Sequence, residues 1–350
     1  MTLINNIARK SIQKLVPYSS ARHENRQEGV RLDANENPFW REDGFNRYPD
    51  PQPELLRQKM AEMYGVKPSQ LLMTRGSDEG VDLLVRSYCE SSQDAIITTP
   101  PTYGMYEVAA SIQGVGVLNV PLNIEEGFSF NKDNILDQWQ PFMKIIFLCS
   151  PNNPTGNILN ELDILALCEA LKNKALVVVD EAYIEFSINT SLSRYVSQYP
   201  NLVVLRTLSK AFGLAGIRLG SLIANQDIVS LLTKVIAPYP IPTPVVQVAL
   251  KSLSSENREL VNSQIQMIRN ERNSLRSFLE KLPSVKCVYP SEANFLLVKV
   301  KDAQQWMSKC IDNKVIIRLR DKLFGLRNCV RITIGTKEEN KKLQEVLSYV

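Results

Sequence analysis

Short apolar runs closed by glycine, proline or polar residues recur along the first two-thirds of the chain. Leu71–Arg75, Asp94–Thr99, Lys144–Cys149, Ala175–Val179 and Asn201–Arg206 all have this form. Each is apolar in both registers, as expected for strands of a sheet covered on both faces. Between them the apolar positions return at helical spacing: over Glu54–Tyr64, from Gly76 to about Cys89, after Tyr106, and over Leu162–Lys172. Strand and helix alternate from Met60 to Leu219, which predicts parallel βαβ units in a mostly parallel, doubly wound α/β sheet.

Outside that stretch the pattern changes. Residues 1–30 suggest an arm with a helix over Leu3–Leu15, and Val30–Pro38 suggests a short strand entering an asparagine-rich turn. The proline-dense run Asn46–Pro53 excludes regular structure and displays Tyr48 on an extended loop. Pro238–Pro244 is a rigid break, followed by Val245–Leu253 and a long helix over about Glu256–Glu280. Val285–Val288, Asn294–Val300, Val315–Leu319 and Val330–Ile334 then predict the strands of a smaller α+β unit. The expected division is an amino-terminal arm over 1–44 contributing to the small unit, a large domain over 45–245, and a small domain over 246–350.

The ends of the predicted strands carry unusual residues. Ligands bind at the carboxyl edge of open α/β sheets. Lys210 falls there, after Asn201–Arg206, and is either an activated amine or an ordinary loop lysine before a glycine-punctuated turn. Arg218, further on, is a fixed cation suited to a phosphate. Gly76-Ser77-Asp78 opens a helix, so it is an N-cap or an anion cup of free N–H groups. Tyr103 could stack on a flat ring or belong to the core. In Ser150–Gly156 two prolines bracket two asparagines and aim an amide at the sheet edge. Asp180 ends an all-apolar strand and requires a cation unless it caps a helix. Tyr183 is near enough to share its pocket.

Composition removes several alternatives. The 350-residue chain carries 41 Lys and Arg against 37 Asp and Glu, a net +4 without a basic block, so nothing points to nucleic acid. The first ten residues lack the apolar core of a signal peptide, and no apolar run approaches membrane-spanning length, so a cytoplasmic protein is expected. The six cysteines are scattered without a C-x-x-C pair, which suits buried thiols in a reducing compartment and no metal site. One histidine, His23, lies in a polar amino-terminal stretch and is expected at the surface. A Ser-His-Asp triad or histidine-rich metal site is thereby excluded. Gly114-Val-Gly116 lacks the third glycine and following helix of a dinucleotide fingerprint, and no Walker-type loop occurs. Proton transfer would fall to lysine, tyrosine, the carboxylates or a cofactor.

One chemistry uses all these parts, namely a lysine imine to an aromatic aldehyde, an acid on the ring nitrogen, a stacked aromatic and a phosphate cup with an arginine. That cofactor is pyridoxal 5'-phosphate. In their order, Arg-Gly-Ser-Asp-Glu-Gly (75–80), Pro-Pro-Thr-Tyr-Gly-Met-Tyr (100–106), Ser-Pro-Asn-Asn-Pro-Thr-Gly (150–156), Val-Asp-Glu-Ala-Tyr (179–183) and Arg-Thr-Leu-Ser-Lys-Ala-Phe (206–212) resemble the fold-type I aminotransferases. More narrowly the chain is similar to the histidinol-phosphate aminotransferase family, from Leu32–Pro38 and Arg47-Tyr-Pro49 to Val330–Gly335.

The resemblance implies Lys210 as the Schiff-base lysine, Asp180 on the ring nitrogen, Tyr183 and Asn153 on the ring oxygen, and Tyr103 stacked. It places Gly76, Ser77, Asp78, Thr207, Ser209 and Arg218 around the phosphate, with Tyr48 reaching it from the partner subunit of a homodimer. Arg331 matches a carboxylate-binding arginine, and Arg320 and Tyr18 match residues that hold the substrate phosphate. The implied substrates are a phosphorylated amine, L-histidinol phosphate, with 2-oxoglutarate and glutamate. The segment between Asn37 and Tyr48 is shorter than in most of that family. Within the fold, an aromatic-amino-acid aminotransferase and a threonine-phosphate decarboxylase are the alternatives; outside enzymes, a binding module that senses the cofactor.

Overall fold

A computed structural model describes residues 3–24, 29–39 and 44–349. The His23 side chain and residues 40–43 of the short segment lie outside the described residues. The large sheet holds β1 (Leu71–Thr74), β2 (Ala95–Thr98), β3 (Gly116–Asn119), β4 (Met143–Cys149), β5 (Leu176–Asp180), β6 (Leu202–Thr207) and β7 (Gly220–Ala224). Their order is β1-β7-β6-β5-β4-β2-β3. All strands run parallel except β7, which is antiparallel to β6 and β1. Val177 and Val179 of β5 join one core while Leu176 and Val178 join the other, so alternate residues feed opposite faces. This is why the strands read as continuous apolar runs.

The expected α/β architecture with a smaller second sheet is present. That sheet consists of β8 (Val285–Val288), β9 (Phe295–Val300), β10 (Arg318–Leu319) and β11 (Cys329–Thr333), antiparallel in the order β10-β11-β9-β8. Helices Ser255–Leu279, Ala303–Asp312 and Lys337–Leu347 share its core around the fully buried Trp306. The first of these also grips the large unit: Arg269 donates to the carbonyls of Glu185, Phe186 and Ser187, just beyond β5.

Three local expectations are corrected. The helix over Leu3–Leu15 is broken into a 3-10 turn, Leu3–Ile7, and a short helix, Lys10–Gln13. Arg9 between them is extended because its amide donates to Ser87 O and its guanidinium engages Glu90 and the Arg86 carbonyl. Those contacts, with Ala8 buried in the large-sheet core, hold this short stretch against the large sheet. Val30–Pro38 forms no strand; Val30 and Leu32 are almost fully exposed and no strand lies beside them. Val315–Leu319 shortens to β10, since Lys314 adopts φ 58° and Ile316 points to solvent. Among the described residues, no helix is long and apolar enough to cross a membrane.

Candidate active site

The parallel strands of the large sheet deliver their carboxyl ends to one edge, and β7, running the other way, brings its first residue there. Gly220 sits opposite both Thr74 of β1 and Thr207 of β6. The turns leaving β1, β2, β4, β5 and β6 surround a cavity of about 520 Å³ whose far wall comes from β10 and β11. Of the residues singled out in the sequence, all but Gly76, Tyr18 and Tyr48 line it.

Asp180, the last residue of β5, is 3% exposed. The sequence left a cation or a helix cap as its partner, and neither is what it has. Its Oδ1 accepts from the Ala182 amide at 3.1 Å and its Oδ2 from the hydroxyl of Tyr106 at 2.8 Å. Burial pushes its pKa up from the ordinary 3.8 to about 6 in spite of the Tyr106 bond. Tyr106 had no role in the sequence reading. Its signal was faint, a second tyrosine one helical turn beyond Tyr103.

Lys210 follows β6 and is exposed to the open cavity, its Nζ 5.5 Å from the ring centre of Tyr183. The protein crowded around the ammonium displaces water, and Arg331 adds like charge; both hold its pKa below the ordinary lysine value. Tyr183 accepts a hydrogen bond from Asn153 Nδ2 at 3.3 Å, and Asn153 Oδ1 accepts from Arg331 Nη1 at 2.5 Å. The asparagine turn thus joins the two sheets across the cavity. Phe295 of β9 supports both ends of this chain, edge-on to Tyr183 at 5.1 Å and beneath the Arg331 guanidinium at 5.2 Å.

Arg320 and Arg331 each bury an Nε that has no acceptor among the described residues. Burial, then the neighbouring Arg331 and Arg318, lower the Arg320 pKa to about 10. Burial likewise depresses Arg331. Arg318 also lines the cavity and was missed. It lies two residues before Arg320 and directly opposite Arg331 across the β10–β11 pair, so strand periodicity could have found it.

The anion cup forms at the β1 turn. Gly76 has φ 76°, a conformation that favours glycine, and the Arg218 guanidinium packs where a Cβ would stand, its Nη2 2.6 Å from that position. Arg218 itself is left-handed, at φ 53°. Its Nη2 lies 3.4 Å from Asp78 Oδ2, and Asp78 Oδ1 accepts from the Tyr103 hydroxyl at 2.9 Å. Ser77 and Asp78 open helix Ser77–Tyr88, where backbone N–H groups favour an anion. The Asp78 carboxylate repels an anion, so it serves to fix Tyr103 and Arg218. Thr207 and Ser209 close the cup, their hydroxyls 2.9 Å apart.

Tyr48 and Tyr18 are elsewhere on this chain. Tyr48 stacks on Tyr239 at 4.5 Å in a separate depression, and Tyr18 is mostly exposed. Glu36, whose side chain is almost fully covered, accepts from the Tyr48 amide and pairs with Arg22 and Arg47, which fixes that loop.

One wall therefore offers an amine whose pKa is held down by crowding and by Arg331, the floor a buried carboxylate, one corner an anion cradle and the far wall a set of arginines. A flat, phosphorylated pyridine aldehyde fits this donor set: the cradle could take its phosphate, Asp180 could face a protonated ring nitrogen and Lys210 could reach its carbonyl carbon. The arginines remain for anionic groups of a second molecule.

Similarity to known proteins agrees with this geometry. The family described as aminotransferase class I and II matches residues 18–347. The chain is 43% identical over 349 residues to the histidinol-phosphate aminotransferase 1 of Pasteurella multocida, covering 98% of each. It is 44% identical over 342 residues to the histidinol-phosphate aminotransferase of Francisella philomiragia, covering 98% of this chain and 94% of that one. Its fold matches the solved histidinol-phosphate aminotransferase of Sinorhizobium meliloti in complex with pyridoxal-5'-phosphate, with a TM-score of 0.79, 22% identity, and coverage of 97% and 96%.

Proposed function

Because the chain belongs to the aminotransferase class I and II family, we propose that it is a pyridoxal-phosphate-dependent histidinol-phosphate aminotransferase. It interconverts L-histidinol phosphate and 2-oxoglutarate with imidazole-acetol phosphate and L-glutamate, a step of histidine biosynthesis. The observation that carries this reading is one cavity in which Lys210, Asp180, the Gly76–Arg218 cradle and the Arg320–Arg331 pair converge. Near-full-length relatives of that name support the choice of substrate.

Lys210 holds the cofactor covalently, Asp180 its ring nitrogen, Tyr183 and Asn153 its ring oxygen, and Tyr103 one ring face. Gly76, Ser77, the Asp78 amide, Thr207, Ser209 and Arg218 would hold its phosphate. When bound, pyridoxal phosphate supplies an electron-poor ring that stabilises negative charge at the α-carbon of an amine. Lys210 Nζ, with its pKa held down, takes the proton from that carbon and returns it one atom away. Asp180, as an anion, keeps a proton on the facing nitrogen. Arg331 orients the carboxylate of glutamate or 2-oxoglutarate, while Arg320 orients the phosphate of the amine.

The protein works as a homodimer in which Tyr48 reaches the cofactor phosphate of the partner's site; the fixed, half-exposed Tyr48 loop supports this. We divide the chain into a large cofactor-binding domain over 45–245 and a small domain over 246–350, with residues 1–44 as an arm. Five buried free thiols suit the cytoplasm.

The purified protein is expected to show the visible absorption of lysine-bound cofactor, bleached by L-histidinol phosphate and restored by 2-oxoglutarate. Phenylalanine or threonine phosphate reacting faster than histidinol phosphate would overturn the substrate. Lys210→Ala is expected to lose both the band and turnover, and retention of either would overturn its role.

A further inference from the structure

Tyr106 has no place in the roles above. It lies in helix Met105–Gln113 and is fully buried. Its ring rests flat on Phe147, 4.7 Å away at 5°, and edge-on to Tyr103 at 5.6 Å and 82°. A phenylalanine would satisfy that packing equally well. The hydroxyl is the part that packing does not require, and it points at Asp180 Oδ2 from 2.8 Å.

We infer that Tyr106 is a positioning residue for the proposed reaction: its hydroxyl fixes the Asp180 carboxyl in one orientation and holds it as a carboxylate, so that a ring nitrogen in the cavity meets an ion. The inference rests on the reading that the cavity takes a pyridine cofactor. With Oδ2 bonded to Tyr106 and Oδ1 to the Ala182 amide, the carboxylate plane is set by two donors from different elements. An acid in that position would present a hydroxyl to the ring and leave the nitrogen unprotonated, which removes the electron-withdrawing power of the ring.

The charges facing Asp180 leave this task to Tyr106. Burial opposes ionisation, and so does Asp78 from the helix after β1; Lys210, on the turn after β6, favours it only as the last of the contributions. The remaining titratable neighbours are Cys149 at the end of β4, Tyr183 beyond β5 and Tyr103 before the helix, all held neutral by burial. Among the groups that favour the anion, the Tyr106 hydroxyl is foremost and the Ala182 amide next.

The test is an infrared titration of the protonated Asp180 carboxyl in the apoprotein, assigned by its loss in Asp180→Asn. A hydrogen bond to a charged group contributes enough that Tyr106→Phe should raise the Asp180 titration by about one to two pH units. Site-specific 3-fluorotyrosine at position 106 keeps the shape and donates more strongly, so it should lower the titration; it also serves if Tyr106→Phe does not fold. At pH 7, where a titration raised to about 7–8 leaves between half and one-tenth of the carboxyl ionised, pyridoxal phosphate should bind Tyr106→Phe about two- to tenfold more weakly. Titration at one pH in wild-type and fluorinated protein would overturn the inference. A shift in a wild-type protein that binds no pyridoxal phosphate would uphold the Tyr106–Asp180 link and sink the cofactor reading.

Discussion

Adding one methyl group at Gly220 tests the anion cup from behind. A Cβ on Gly220 would stand 2.5 Å from the carbonyl carbon of Gly76, 2.6 Å from Ser77 N and 2.9 Å from Gly76 O. Ordinary carbon contacts lie near 3.5–4.0 Å, so the chain must open by about 1 Å. All three obstacles are backbone, and no side chain can rotate away. Gly220 is also pinned on both sides, opposite Thr74 and Thr207, so the displacement falls on the Gly76–Ser77 turn. Overpacking of this kind costs about 1–3 kcal/mol, and each kcal/mol lowers Tm by roughly 2–4 °C in a domain of about 200 residues. The same shift would move the Ser77 amide off the phosphate position proposed for the cofactor. A charge-assisted hydrogen bond contributes about 1.5–3 kcal/mol, so Gly220→Ala should weaken pyridoxal phosphate binding about ten- to a hundredfold. Calorimetry of the apoprotein and spectroscopic titration with pyridoxal phosphate read the two effects separately. Gly216→Ala is the control, because nothing lies within 4 Å of its Cβ. Wild-type Tm would refute the packing argument, and a lowered Tm with wild-type cofactor affinity would refute the place of the Ser77 amide in the cup.

Asp180→Asn separates stability from function by pH. Folding raises the Asp180 pKa from 3.8 to about 6, so the folded chain favours the neutral acid: its contribution is complete below about pH 4 and is lost as pH rises through 6. Above pH 7 the charged form costs at most roughly 3 kcal/mol. The Asn variant of the apoprotein is therefore expected to resist urea better than wild type at pH 8 and equally at pH 4, while losing turnover; equal stability at both would contradict burial as the dominant cause. Arg320→Ala should raise KM for phosphorylated substrate about ten- to a hundredfold and change KM for 2-oxoglutarate less, as loss of a charged hydrogen bond requires. An unchanged KM in steady-state assays would remove Arg320 from the phosphate subsite.

The elements that carry the site were legible because each strand of the large sheet is covered on both faces, so its apolar run ends abruptly where chemistry begins. Lys210, Asp180, Asn153 and Tyr183 all stand just past such an ending. β7 was not legible. Gly220–Ala224 starts with glycine and contains a serine, and only pairing on both edges makes it a strand. Helix Lys132–Gln138 was likewise absent from the pattern, with a single buried residue, Ile135. Arg9 left its helix for partners some 80 positions away, a tertiary contact no local pattern records. Tyr106 was hidden for another reason: a buried tyrosine on a helix is ordinary, and its function lies in where one hydroxyl points.

The directions in which the cavity's charges are disfavoured also describe the molecule it takes. Burial makes Asp180 a poorer anion than it is in water, and a cation against it would reverse that. Burial makes Arg320 and Arg331 poorer cations, helped by Arg331 and Arg318 on Arg320 and by Arg318 on Arg331, and anions would reverse that. The compatible occupant has a protonated nitrogen on the β5 side and anionic groups toward β10 and β11. Arg331 refines this further. Its Nη1 already donates to Asn153, whereas its buried Nε has no acceptor among the described residues, so the edge formed by Nε and Nη2 is the one left for a ligand. That edge presents two parallel N–H bonds, the geometry that matches a planar carboxylate. Arg320, whose Nε has no acceptor among the described residues, directly follows the adjoining strand β10 and lies within the same field. A carboxylate on one arginine and a phosphate on the other can therefore be accepted in turn by the same wall, as required when two differently charged substrates use one site.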